Sequence, residues 1–138
     1  MSKVAVIYWS GTGNTEAMAK AVAEGAKAAG AEVDLLICPD VNEVDGYEAV
    51  ALGCPAMGSE ELEDGEFLPM LETIEPALPG KRVVLFGSYD WGTGEWLENW
   101  EARCAEKGIT LAAESVKANN TPDSAALAAC KALGGAIA

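Results

Sequence analysis

The chain has 138 residues, with 22 Asp and Glu against 9 Lys and Arg, no His, and a formal charge of −13. That length predicts one domain with a sizeable core, and the acidic balance argues against nucleic acid or an anionic membrane as partner, while the missing His excludes a histidine base or ligand. No window reads as a membrane span or signal peptide, so a cytoplasmic protein is expected, and Cys38, Cys54, Cys104 and Cys130, with no C-x-x-C, read as buried small hydrophobes in a reducing compartment rather than as a metal or iron–sulfur site.

Apolar runs alternate with helical periodicity along the whole chain, the pattern of βαβ units in a mainly parallel sheet. Residues 3–8 form the first expected strand, followed by a helix over 14–29 with Met18, Val22 and Ala26 on one face and Gly30 as its stop. Strands are expected at 32–37 and 48–54, then a helix over 66–75 whose first turn Pro69 should disturb. A strand at 82–87, a helix over 94–106, a strand at 109–117 and a helix over 123–135 complete the series, the last opened by Thr121-Pro122-Asp123. The strands at 3–8, 48–54 and 82–87 are nearly all apolar and suit the sheet interior; the other two are mixed and suit its edges. No linker, repeat or low-complexity tract divides the chain.

A doubly wound sheet binds ligands past the carboxyl ends of its strands. Three loops leave those ends, and they are the most distinctive parts of the sequence. The first runs through Ser10, Gly11, Thr12, Gly13, Asn14 and Thr15 into a helix. Backbone N–H groups and a helix N-terminus suit a phosphate there, and the hydroxyls and amide add neutral donors. No Lys or Arg lies between Lys3 and Lys20. A phosphate held without charge cancellation belongs to a retained cofactor rather than to a nucleotide undergoing transfer. The P-loop pattern is absent, and Glu16 stands at the third glycine of a dinucleotide fingerprint, so a phosphate monoester fits better.

The second loop contains Cys54-Pro55-Ala56-Met57-Gly58-Ser59-Glu60, and the third Ser88-Tyr89-Asp90-Trp91-Gly92. Met57 and Trp91 beside glycines could sandwich a flat heterocycle between a thioether and an indole. With the phosphate loop they point to flavin mononucleotide (FMN).

Tyr8 to Glu16, Gly53 to Gly58 and Phe86 to Gly92 together resemble the short-chain flavodoxins of anaerobic bacteria, of the clostridial and Megasphaera-like type, and the resemblance spans nearly the whole chain. It implies a flavodoxin-like α/β fold, a five-stranded parallel sheet in the order 2-1-3-4-5 with helices on both faces. It also implies a non-enzymatic, monomeric, one-electron carrier that binds FMN non-covalently, shuttles between semiquinone and hydroquinone, and can replace a ferredoxin. By that resemblance residues 10–15 wrap the phosphate, Met57 and Trp91 cover the two faces of the ring, and Ala56, Ser88, Tyr89 and Gly92 belong to the same contact loops. The Gly58-Ser59 peptide would turn over on reduction, Glu60 would meet the N3 edge, and Asn120, more than Asn119, would approach the ribityl chain. Two positions depart from the family pattern. Asp90 stands where glycine is usual, and Pro55 where a hydroxyl residue often reaches the phosphate.

Acidic residues follow both later loops: Glu60, Glu61, Glu63, Asp64 and Glu66, then Asp90, Glu95, Glu98 and Glu101. A carboxylate about 10 Å from the ring, at an effective dielectric of about 40, repels an added electron by roughly 0.8 kcal/mol. Several such charges lower a one-electron potential by on the order of 100 mV, less in salt. The same rim would steer the protein onto basic redox partners in transient contacts. Three other readings fit less well. A flavodoxin-like NAD(P)H-dependent FMN or quinone reductase needs an open flavin face, and Trp91 is set to cover it. A receiver domain needs acids after strand 1 and an Asp after strand 3, where this chain has Trp9-Ser10 and Cys54-Pro55; Lys117 alone matches. A colourless module would make the three loops coincidental.

Overall fold

The computed structural model describes residues 2–58, 60–90 and 92–138. Along the chain run β1 (Lys3–Tyr8), α1 (Asn14–Ala28), β2 (Glu32–Ile37), β3 (Ala49–Gly53), α2 (Phe67–Ile74), β4 (Arg82–Tyr89), α3 (Glu95–Glu106), β5 (Val116–Asn119) and α4 (Ser124–Ile137), with single 3₁₀ turns at Cys38–Asp40 and Glu75–Ala77. All strand pairs are parallel and the order is β2-β1-β3-β4-β5, as the resemblance implied.

Two-residue alternation along each inner strand divides the core into two layers. Ile7, Leu52 and Leu85 face Phe67, Leu71, Trp96 and Trp100. Val6, Ala51, Val84 and Phe86 face Met18, Val22, Leu133 and Ile137. Both faces of β1, β3 and β4 are covered, which explains their unbroken apolar sequence. All four cysteines are buried and unpaired. Burial pushes the Cys104 thiol up to about 11 and the Cys38 and Cys130 thiols to about 12. They are neutral packing groups at physiological pH. Among the described residues no helix is long and apolar enough to cross a membrane.

The largest departure from the expected elements is β5. The expected strand at 109–117 is instead Val116–Asn119, preceded by an isolated parallel bridge between Val83 and Leu111. The offset between paired residues is 28 at Val83–Leu111 and 30 at Phe86–Val116, so two extra residues leave the ladder between them. Apolar pattern marks Ile109 and Leu111 as inward-facing but does not reveal that slip. Pairing with Ala118 and Asn119 also carries β4 two residues past its expected end, to Tyr89. Gly30, at φ 98°, donates to Lys27 O, and Ala31 donates to Ala26 O, a Schellman stop for α1 where a C-terminal cap was expected.

Pro69 leaves α2 intact. It is the third helical residue, where an N–H would have no intrahelical acceptor. Glu63 supplies acceptors for the remaining amides: Oε1 takes Glu66 N at 2.8 Å and Phe67 N at 2.7 Å, and Oε2 takes Gly65 N at 2.8 Å. Burial alone would raise the Glu63 pKa, but these three donors hold it below the ordinary 4.5. A depressed carboxylate pKa stabilises the fold above the unfolded-state value and loses that contribution as pH falls through the folded-state value. Glu63→Gln should therefore lower the urea midpoint at about pH 7, and the gap to the parent should be smaller at about pH 3. Equal gaps at both pH values would contradict this account.

Candidate functional site

The chain order reverses between β1 and β3, and the crevice past their carboxyl ends is where a doubly wound sheet takes its ligand. A cleft of about 210 Å³ lies there, formed by the loops leaving β1, β3, β4 and β5. Gly11, Thr12 and Asn14 line it from the first loop, Ala56 and Met57 from the second, Ser88, Tyr89 and Asp90 from the third, and Asn120 from the last. An adjoining groove of about 330 Å³ shares Trp9 and Gly11 with the cleft and continues along Ser10, Gly13 and Glu16. Ser59 and Trp91 lie outside the described residues.

The first loop folds back on the start of α1 and leaves backbone donors open. Gly13, at φ 94°, is the N-cap of α1 and contributes no side-chain cap. Ser10 Oγ accepts from Gly13 N at 3.1 Å and Glu16 N at 3.3 Å, which folds the loop back on the helix start. Among the described residues the N–H groups of Thr12, Asn14 and Thr15 have no acceptor. These open donors lie at and just before the positive N-terminal end of α1, the kind of place that suits an anion. The Thr15 side chain is placed differently from its neighbours. It is 1% exposed, and its Oγ1 shares a 3.0 Å hydrogen bond with Ser88 Oγ, tying the first loop to β4.

The second loop is closed as a tight turn, with Met57 N donating to Glu61 O at 2.8 Å and Glu61 N to Met57 O at 2.9 Å. Met57 is 38% exposed, unusual for its size and type, and it lines the cleft. Gly58, at φ 51°, occupies the left-handed region that glycine enters at little cost. Glu60 and Asn120, at φ 55° and 57°, are the described non-glycine residues there; Asp90 is not one of them, so its replacement of a glycine introduces no such strain. Glu60 does not line the cleft. Its Oε1 accepts from Gly94 N and Glu95 N, both at 2.9 Å, and so caps α3 across 34 and 35 residues of sequence. Gly92 is pressed against the same carboxylate, since a Cβ there would stand 2.6 Å from Glu60 Cδ.

Trp9, Pro55 and Glu66 join the site without having been singled out as contacts. Trp9 stands between cleft and groove, and its Nε1 donates to Glu66 Oε1 at 2.9 Å. Position directly after β1 was a signal for Trp9; nothing local signals Glu66, 57 residues away. Asn120 lines the cleft, with its N–H on Tyr89 O at 2.6 Å, whereas the Asn119 amide turns to Tyr89 O and Asp90 O at 3.4 and 3.5 Å.

Carboxylates flank this surface. Asp90 lies in the cleft, Glu16 and Glu66 line the adjoining groove, and Glu60, Glu61 and Asp64 line the other side of the second loop. Burial, and then a hydrogen bond to Glu16 at 3.1 Å, raise the Tyr8 phenol pKa, so it stays a neutral donor there. No Lys or Arg lines the cleft or the adjoining groove among the described residues. The surface thus offers neutral donors for an anion, an apolar bed for a flat ring, and a surrounding negative field.

The model of the flavodoxin family matches residues 6–134. The chain belongs to the flavodoxin family. It is 47% identical to the flavodoxin of Megasphaera elsdenii over 98% of both chains, and 43% identical to that of Clostridium beijerinckii over 87% of this chain and 88% of the other. The solution structure of two-electron reduced Megasphaera elsdenii flavodoxin superposes with a TM-score of 0.88 over 97% of each chain. A flavodoxin from the domain Archaea, 30% identical, gives 0.83 over 98% of this chain and 95% of that one. Flavodoxins are small FMN-binding electron carriers that serve redox partner proteins, and this chain is one by family.

Proposed function

We propose that this flavodoxin is a low-potential carrier that holds FMN non-covalently in the described cleft, moves one electron at a time, and can stand in for a ferredoxin. The observation that carries the reading is the juxtaposition of the cationless donor loop, through Gly11, Thr12 and Asn14, with the exposed Met57 in one cleft. The residues fit the group. The open N–H groups of Thr12, Asn14 and Thr15 and the Thr12 hydroxyl would hold the phosphate, with Ser10 and Gly13 shaping the loop. Met57 would lie against one ring face, beside Ala56, and Trp91 against the other. Gly11, Ser88, Tyr89, Asp90, Gly92 and Asn120 would complete the contacts, and the left-handed Gly58 suits a turning Gly58-Ser59 peptide. Glu60 would reach the ring edge only with the oxygen that α3 does not occupy. Bound FMN supplies the one-electron chemistry; the chain supplies position, water exclusion and a negative field.

The acidic rim supports two further parts of the proposal: transient docking on basic-surfaced redox proteins, and a carrier rather than a turnover enzyme. A cytoplasmic monomer suits such a shuttle.

Asn14→Asp tests the phosphate assignment. Asn14 is the first residue of α1, where a carboxylate favours the helix, so the fold should be slightly stabilised. The same carboxylate would face a phosphate dianion, which at about 5 Å and an effective dielectric of about 40 costs about 3 kcal/mol, roughly a hundredfold in affinity. Titration of the apoprotein should show that loss for FMN and almost none for riboflavin, which lacks the phosphate. Equal losses for both ligands, or none, would refute the assignment.

A further inference from the structure

Lys117 is the one residue that matched the receiver pattern, and the carrier reading leaves it without a role. It lies on β5 with an exposed side chain. Among the described residues it pairs with no carboxylate, although the chain has 22. Its Nζ donates instead to Thr93 O at 3.3 Å. Its stem lies flat across Gly94: a Cβ added there would stand 2.8 Å from Lys117 Cδ and 2.7 Å from Nζ. Gly94, at φ 86°, is the N-cap of α3. The N–H groups of Gly94 and Glu95 hold Glu60 Oε1, and Glu60 sits in the turn that Met57 and Glu61 close. One run of contacts therefore leads from β5 through the third loop to the second.

We propose that Lys117 is a positioning residue for the cofactor. It clamps the Thr93-Gly94 segment onto β5, and through Glu60 it fixes the turn that presents Met57. The Lys117 ammonium lies in solvent at the mouth of the third loop, on the Thr93 carbonyl rather than on a carboxylate, while its stem covers Gly94. The proposal rests on the FMN reading above.

The test uses the full-length apoprotein, Lys117→Met, which keeps the stem over Gly94 without the charge or donor, and Lys117→Arg, which keeps both. FMN affinity is read by flavin fluorescence, and amide hydrogen exchange at Gly94 and Glu95 by NMR on the ligand-free proteins. Lys117→Met should weaken FMN about tenfold and speed exchange at both amides at least fivefold, with the urea midpoint unchanged. Lys117→Arg should restore affinity to within twofold of the parent. An affinity within twofold of the parent in Lys117→Met, unchanged exchange at Gly94 and Glu95, or no rescue by arginine each overturns the proposal. A parent protein that fails to bind FMN would instead sink the cofactor reading, and the exchange measurement would still decide the clamp.

Discussion

Gly87→Ala is expected to destabilise the protein by about 3 kcal/mol, the upper range for overpacking a core. Gly87 lies within β4, directly before the third cleft loop, and a Cβ there would stand 2.2 Å from Cys54 O and 3.0 Å from Trp96 Cζ2. The first obstacle is backbone, in the neighbouring strand's exit, and cannot rotate away. It also accepts the Trp96 Nε1 hydrogen bond at 3.1 Å, so displacing it disturbs α3 as well. FMN affinity should fall with stability, because β3 and β4 deliver the second and third loops from this point. Urea denaturation checks the first effect and flavin titration the second. A loss under about 1 kcal/mol would mean that the two strand ends are not packed as described.

The second large effect is electrical. Amides in place of Glu60, Glu61, Asp64 and Asp90 should raise the lower one-electron midpoint potential by on the order of 100 mV at low ionic strength. Glutamine at 60 keeps an acceptor for the α3 amides, so the loop geometry should survive. The shift should shrink as salt screens the rim. Amides at Glu32 and Asp45, beside the amino ends of β2 and β3, serve as the remote control and should move the potential far less. Equal shifts per charge removed in the two sets would assign the effect to net charge rather than to the rim.

Much of this was legible in the sequence because local signals coincide with structural boundaries. β1 and β2 occupy their expected residues because an apolar run stops at a glycine-rich loop in one case and at Cys38-Pro39 in the other. Asp123 caps α4 through Ala126 N at 2.8 Å, as Thr121-Pro122-Asp123 signalled. The three cleft loops were recognisable because each departs from ordinary loop composition. What stayed hidden are contacts made by the sheet order. Thr15 meets Ser88, Trp9 meets Glu66, and Glu60 meets Gly94 only because β1, β3 and β4 lie side by side. No local periodicity encodes such pairs. The two-residue slip before β5 was invisible for a related reason: it is a property of two strands together, and each side alone reads as regular.

Potentiometric titration of the FMN-loaded protein, followed by its visible spectrum, tests the central claim most directly. The claim is that the cleft holds FMN in a negative field and passes single electrons at low potential. Two resolved one-electron steps are predicted, the lower of them well below the potential of free FMN. A single two-electron step near the free-FMN potential would contradict the account.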